Sequence, residues 1–167
     1  MIDDDMRAVI AAQRLCYAAT VSADGRPNLS PKGTIRVWDD AHLFFCDIAS
    51  PGTRANLAAN PWIEINVVDP LSRRGYRFRG IASLHAGDAV YREALARLAA
   101  EDRLPAVVHA IVLVQVERVL SVASPAYEWV ADEGAMRALW RDQRAALEAQ
   151  FDQHLKRRAP WRPDWAR

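Results

Sequence analysis

The segment Trp62-Ile63-Glu64-Ile65-Asn66-Val67-Val68 alternates apolar and polar side chains almost without a break. A period of two puts one face on a core and the other toward water, which describes a half-buried strand and excludes a helix. Strand-like runs recur on both sides of it. Residues 16–21, 28–38 and 42–47 read as three strands in a meander. Asp24-Gly25 turns the first pair, because a tight hairpin wants a residue at positive φ, and Asp39-Asp40 turns the second. Residues 76–84 and the long apolar run 106–122 read as two more strands. The chain is therefore committed to a curved antiparallel sheet of about six strands.

Helical spacing interrupts this pattern at four places. Met6, Val9 and Ile10 mark a short helix over residues 6–15. Ser50 is an N-cap candidate, Pro51 fits the first helical position, and Asn60-Pro61 stops the helix that follows. Asp88 opens a third helix through residue 99, with Val90, Leu95 and Leu98 inward. Residues 132–155 form one long amphipathic helix with a stripe of Met136, Leu139, Trp140, Ala146, Leu147 and Phe151. Residues 159–165 read as an irregular terminus. Strands and helices do not alternate regularly, so a doubly wound parallel sheet is disfavoured. The class is mainly β (α+β): a small six-stranded antiparallel barrel with peripheral helices and a long C-terminal helix.

Bulk properties narrow the function. Among 167 residues, 22 basic and 21 acidic side chains leave a net charge of +1. That balance argues against a nucleic-acid protein, which would carry a strongly basic face. No apolar run approaches the roughly 20 residues needed to cross a bilayer, and the N-terminus is acidic where a secretory signal would be basic. The expectation is a cytoplasmic protein with reduced, buried Cys16 and Cys46. The four histidines are scattered, so no metal site is expected. His109, on an apolar strand, reads as a core histidine.

Two stretches can carry chemistry. A helix that starts directly after a strand offers free N–H groups and the positive end of its dipole. Ser50, Thr53 and Arg54 at that end would complete a phosphomonoester site, although an ordinary capped helix would use the same residues. In Ser30-Pro31-Lys32-Gly33-Thr34, Pro31 lacks a donor and Gly33 lacks packing, so the strand is an edge or meets a flat ligand there. Ser30, Lys32 and Thr34 alternate to one side and offer a cation and two hydroxyls. Arg77 and Arg79 share a strand face and either bind an anion or protect an edge. Trp161 and Trp165 suit packing on a partner subunit.

Taken in order, these segments resemble the pyridoxamine 5′-phosphate oxidase-related, FMN-binding split-barrel family. The resemblance rests on residues 27–34, Val37-Trp38-Asp39-Asp40, His42-Leu43-Phe44-Phe45, residues 47–57, Asn60-Pro61, residues 65–70 and Gly75-Tyr76-Arg77-Phe78-Arg79-Gly80, within residues 6–127. It implies a split barrel over residues 1–127, a helical extension over 128–167, and a homodimer with FMN at the subunit interface. It implies that Ser30, Pro31, Lys32, Gly33 and Thr34 line the flavin ring and phosphate. Cys46 and Asp47 would face the ring's polar edge, and Thr53 and Arg54, beside Ser50, would hold the phosphate. The C-terminus, with Trp161-Arg162-Pro163, does not match the Arg- and His-bearing segment that grips substrate in the vitamin B6 oxidase. The expected function is an FMN-dependent oxidoreductase acting on another small molecule. The alternatives are a flavin-binding or redox-sensing module without turnover, and a reductase using F420.

Overall fold

The computed structural model describes residues 1–101 and 105–155, the last three of them by backbone alone. The expected irregular terminus, with Trp161 and Trp165, lies outside the described residues. The chain separates into two compact units: Met1–Asp69 with Arg74–Ala123, and Pro70–Arg73 with the chain from Ser124 onward.

The first unit opens with α1, Asp4–Gln13. The Asp3 carboxylate accepts from the Met6 N–H at 2.8 Å, and Arg14 ends the helix in the left-handed region at φ 54°. Seven strands follow: β1 Cys16–Val21, β2 Pro27–Lys32, β3 Arg36–Val37, β4 His42–Asp47, β5 Trp62–Asp69, β6 Arg74–His85 and β7 Ala110–Ala123. Helix α2, Pro51–Ala59, joins β4 to β5, and α3, Ala89–Ala100, joins β6 to β7. All pairings are antiparallel, in the order β2-β1-β5-β6-β7-β4-β3.

That order puts β2 and β3 at opposite edges, yet only Gly33-Thr34-Ile35 separates them in the chain. A connection so short forces the sheet to curl until its edges meet, which makes the expected split barrel. It also corrects two expectations. The strand read over residues 28–38 is two strands, so the sheet has seven rather than six. The three-strand meander is replaced by two hairpins on opposite edges. The break falls where the Thr34 hydroxyl accepts from the Cys46 N–H at 2.8 Å, a side chain standing in for a ladder carbonyl.

Closure is helped by a β-bulge between β6 and β7. Arg79 faces Arg118 but Gly80 faces Val116, leaving Glu117 as the extra residue. A Cβ on Gly80 would lie 2.1 Å from the Gln115 carbonyl oxygen, so only glycine permits this approach.

The core has two parts. Phe45, Phe78, Ile63, Ile65, Val67 and Leu57 pack inside the curl with Ile2 and Ile10. Phe44 and Cys46 point the other way and meet Ala94, Leu98 and Ile111, so α3 covers the outer side of β4 and β7. On α3 it is Ala94 and Leu98 that are buried, with Tyr91 and Leu95 packed beside them. His109 is exposed and precedes β7 rather than lying in it, so it is not a core histidine. The strand begins later than its apolar sequence suggests, because Ala110 is the first residue to pair with Asp47.

In the second unit, Ser124 caps a short turn at Pro125–Glu128, and α4 spans Glu133–Leu155. The Tyr127 hydroxyl donates to the Ser72 carbonyl at 2.6 Å. The Arg73 guanidinium stacks 3.5 Å above the Trp140 ring. Of the expected stripe, Met136 is buried, whereas Leu139 and Leu147 stay exposed.

Candidate functional site

β1 and β2 pair with Cys16 opposite Lys32, Ala18 opposite Ser30, and Thr20 opposite Asn28. Directly opposed residues share a face, so Asn28, Ser30 and Lys32 stand on the same side as the buried Cys16, Ala18 and Thr20. Helix α2 is fixed against that side. The Thr20 hydroxyl oxygen accepts from the Asn56 amide at 3.0 Å and from the Asn28 amide at 3.1 Å. This tie fixes the middle of α2 relative to β1 and β2. Thr20 and Asn56 were not singled out from sequence, and Asn28 stood out only as the start of the stretch that runs to Thr34. The available signal was that Asn56 lies three residues beyond Thr53 and so on the same helix face.

Lys32 is 5% exposed. Among the described residues, its ammonium has one hydrogen bond, to the Ser30 hydroxyl at 2.8 Å, and it lies 5.8 Å from the Phe45 ring centre. Burial pulls its pKa below the ordinary 10.5, and the nearby Asp47 carboxylate works against that pull. Cys16, across the ladder, is pushed up to about 12 by burial, with Lys32 opposing. Burial raises Cys46 as well.

Asp47 ends β4 and is almost wholly buried. Its Oδ1 accepts from the Ser50 N–H at 3.1 Å and from the Ser50 hydroxyl at 2.7 Å. Its Oδ2 faces the Arg54 guanidinium at 3.3 Å. Ser50 occupies the cap position of α2 but makes no side-chain cap bond, a correction to its expected role, because its hydroxyl is turned to Asp47. Thr53 is buried and the Arg54 side chain is 46% exposed. Lys32 and Arg54 therefore flank one carboxylate beside the first turn of α2. Pro31 and Gly33 are exposed, and nothing lies within 4 Å of where a Gly33 Cβ would be. Thr34 is spent on the Cys46 N–H, and Cys46 itself packs against α3.

A cleft of about 420 Å³ opens beside the tie at Thr20, lined by Thr20 itself with Ala19, Val21, Pro27, Trp62 and Arg79 among others. Arg77 and Arg79 both reach Glu64, at 3.3 and 3.5 Å. The two arginines share this one carboxylate and are 46% and 49% exposed, much as Arg54 is. Among the described residues, no group of three or more His, Cys, Asp or Glu could hold a metal ion, and no helix is long and apolar enough to cross a membrane.

The sequence profile described as pyridoxamine 5′-phosphate oxidase matches residues 2–123. No curated protein is similar enough to match. Among solved structures, HupZ of Group A Streptococcus is 35% identical, with TM-score 0.67 over 74% of this chain and 96% of its own. HutZ, the heme storage protein of Vibrio cholerae, is 18% identical, with TM-score 0.58 over 71% and 93%. An FMN-binding protein of Syntrophomonas wolfei is 16% identical, with TM-score 0.59 over 71% and 84%. The last two show likeness of fold alone.

Proposed function

The chain belongs to the pyridoxamine 5′-phosphate oxidase family, and from that premise we propose that it binds FMN and acts as an oxidoreductase on a small molecule. The observation that carries this reading is Lys32. A buried ammonium with a single hydroxyl partner is costly to keep, and it feels the charge of Asp47, the carboxylate that pairs with Arg54 at the start of α2. A phosphomonoester would satisfy Lys32, Arg54 and the helix start together. Lys32 and Ser30 would hold it from the strand side, and Thr53, Arg54 and the first N–H groups of α2 from the helix side. When bound, FMN supplies hydride acceptance and donation at its ring. The chain's own part is to fix the ester, orient the ring and exclude water.

Tyr17, Val21, Leu29 and Trp62 are 48%, 40%, 66% and 46% exposed. Tyr17, Val21 and Leu29 lie on the face of β1 and β2 opposite Lys32, and a second copy covering them would form the dimer. The F420 alternative needs extra basic surface for a longer anionic tail. Arg77 and Arg79, which share the single Glu64 carboxylate and so leave one positive charge, are the residues that could supply it.

The experiment is to purify the protein, record its absorption, identify the released cofactor, and add NADH or NADPH. A yellow protein that releases FMN and is bleached by either donor supports the reading. FMN that no donor reduces would mean a flavin-binding module without turnover. A colourless protein that ignores added FMN, or one carrying haem, would overturn the cofactor assignment.

A further inference from the structure

Asp47 puts a negative charge in the middle of a site built to attract one. Both of its oxygens occupy groups assigned to the phosphate: Oδ1 takes the Ser50 N–H and hydroxyl, and Oδ2 faces Arg54. Its charge also reaches Lys32. A carboxylate in this position imitates the ester that the site would hold. It satisfies the same donors with one negative charge where a phosphomonoester brings up to two. With Asp47 present, the two cations and one anion leave a single positive charge; without it, two remain.

We infer that Asp47 is a specificity-determining residue, an internal competitor that limits how tightly the site holds a phosphomonoester. The inference rests on the FMN reading above. On binding, Arg54 exchanges the Asp47 carboxylate for the phosphate. The geometry makes Arg54 the partner that moves, because its side chain is 46% exposed while that of Asp47 is 3% exposed and anchored by two bonds to Ser50. Like charges a few ångströms apart in a partly buried site repel strongly, so the carboxylate opposes a dianion more than it helps by orienting Arg54.

The test uses the full-length protein stripped of any bound cofactor, titrated by flavin fluorescence with FMN and with riboflavin, which lacks the phosphate. Asp47→Asn keeps the shape and an acceptor for Ser50 but removes the charge. It should tighten FMN about tenfold or more and leave riboflavin unchanged. Should that variant fail to fold, Asp47→Ser, which is smaller and equally uncharged, carries the same test; the charge balance can also be probed from the other side. Arg54→Gln should cut the preference for FMN over riboflavin about tenfold, and Asp47→Asn added to Arg54→Gln should bring it back. Weaker FMN binding by Asp47→Asn, equal changes for both ligands, or no recovery in the double variant would overturn the inference. Wild-type protein that binds FMN no better than riboflavin would instead overturn the phosphate site itself, and the inference with it.

Discussion

Replacing Gly80 by alanine should be among the most damaging single-atom additions to this chain. The new Cβ would meet the Gln115 carbonyl oxygen at 2.1 Å and the Val114 methyl at 3.0 Å. A backbone oxygen cannot rotate away, so β6 and β7 must part at the bulge that lets the sheet curl. Overpacking of this kind costs about 1–3 kcal/mol or more, and a lost ladder bond adds about 1 kcal/mol. A total near 3–4 kcal/mol is a large share of the roughly 5–15 kcal/mol that holds a domain together. At a urea slope of about 1–3 kcal/mol per molar, the unfolding midpoint should fall by about 2 M. The assay is urea unfolding followed by circular dichroism, with Gly33→Ala as the control. Nothing lies within 4 Å of a Gly33 Cβ, so that variant should stay within about 0.5 kcal/mol of wild type. If Gly80→Ala unfolds at the wild-type midpoint, the bulge does not work as described.

Two other outcomes follow from the buried site. Lys32→Met should leave the cofactor-free protein no less stable at neutral pH, because burial disfavours the ammonium more than Asp47 supports it and Asp47 keeps Arg54 and Ser50, while FMN affinity drops at least about tenfold. Because the folded Lys32 sheds its proton below 10.5, the unfolded chain holds more protons in the window just under that value. Wild-type stability should therefore gain on Lys32→Met as pH rises through it, which unfolding at several pH values would measure. Cys16, pushed up to about 12, and Cys46, also raised, should resist a disulfide-exchange reagent near pH 8 in the native protein. Both should react once the protein is unfolded; rapid labelling of the native form would contradict the burial described.

Local chemistry was readable in the sequence where it depends on neighbouring residues. Pro51 after Ser50 and the stop at Asn60-Pro61 bracket α2 within a residue or two, because both act on the backbone beside them. The alternation over residues 62–68 gave β5 for the same reason. Pairing across the barrel was not readable. β4 takes β7 as its neighbour, and the split after Lys32 depends on Thr34 meeting a donor on β4. The site divided along the same line. Lys32 and Arg54 were visible as cations near a strand and a helix start. That Ser50 turns to Asp47, and that Asp47 stands between the two cations, depends on how α2 leaves the end of β4, which residue spacing does not encode. That Glu64 stands opposite Arg79 in the ladder, between the two arginines' charges, was likewise not encoded in residue spacing.

The most direct measurement is a crystal structure of the protein soaked or grown with FMN. The phosphate should lie between β2 and the first turn of α2, with an oxygen within about 3 Å of the Lys32 Nζ and Arg54 turned from Asp47 toward it. A phosphate seated on another surface, with Lys32 still bonded to Ser30 alone, would contradict it.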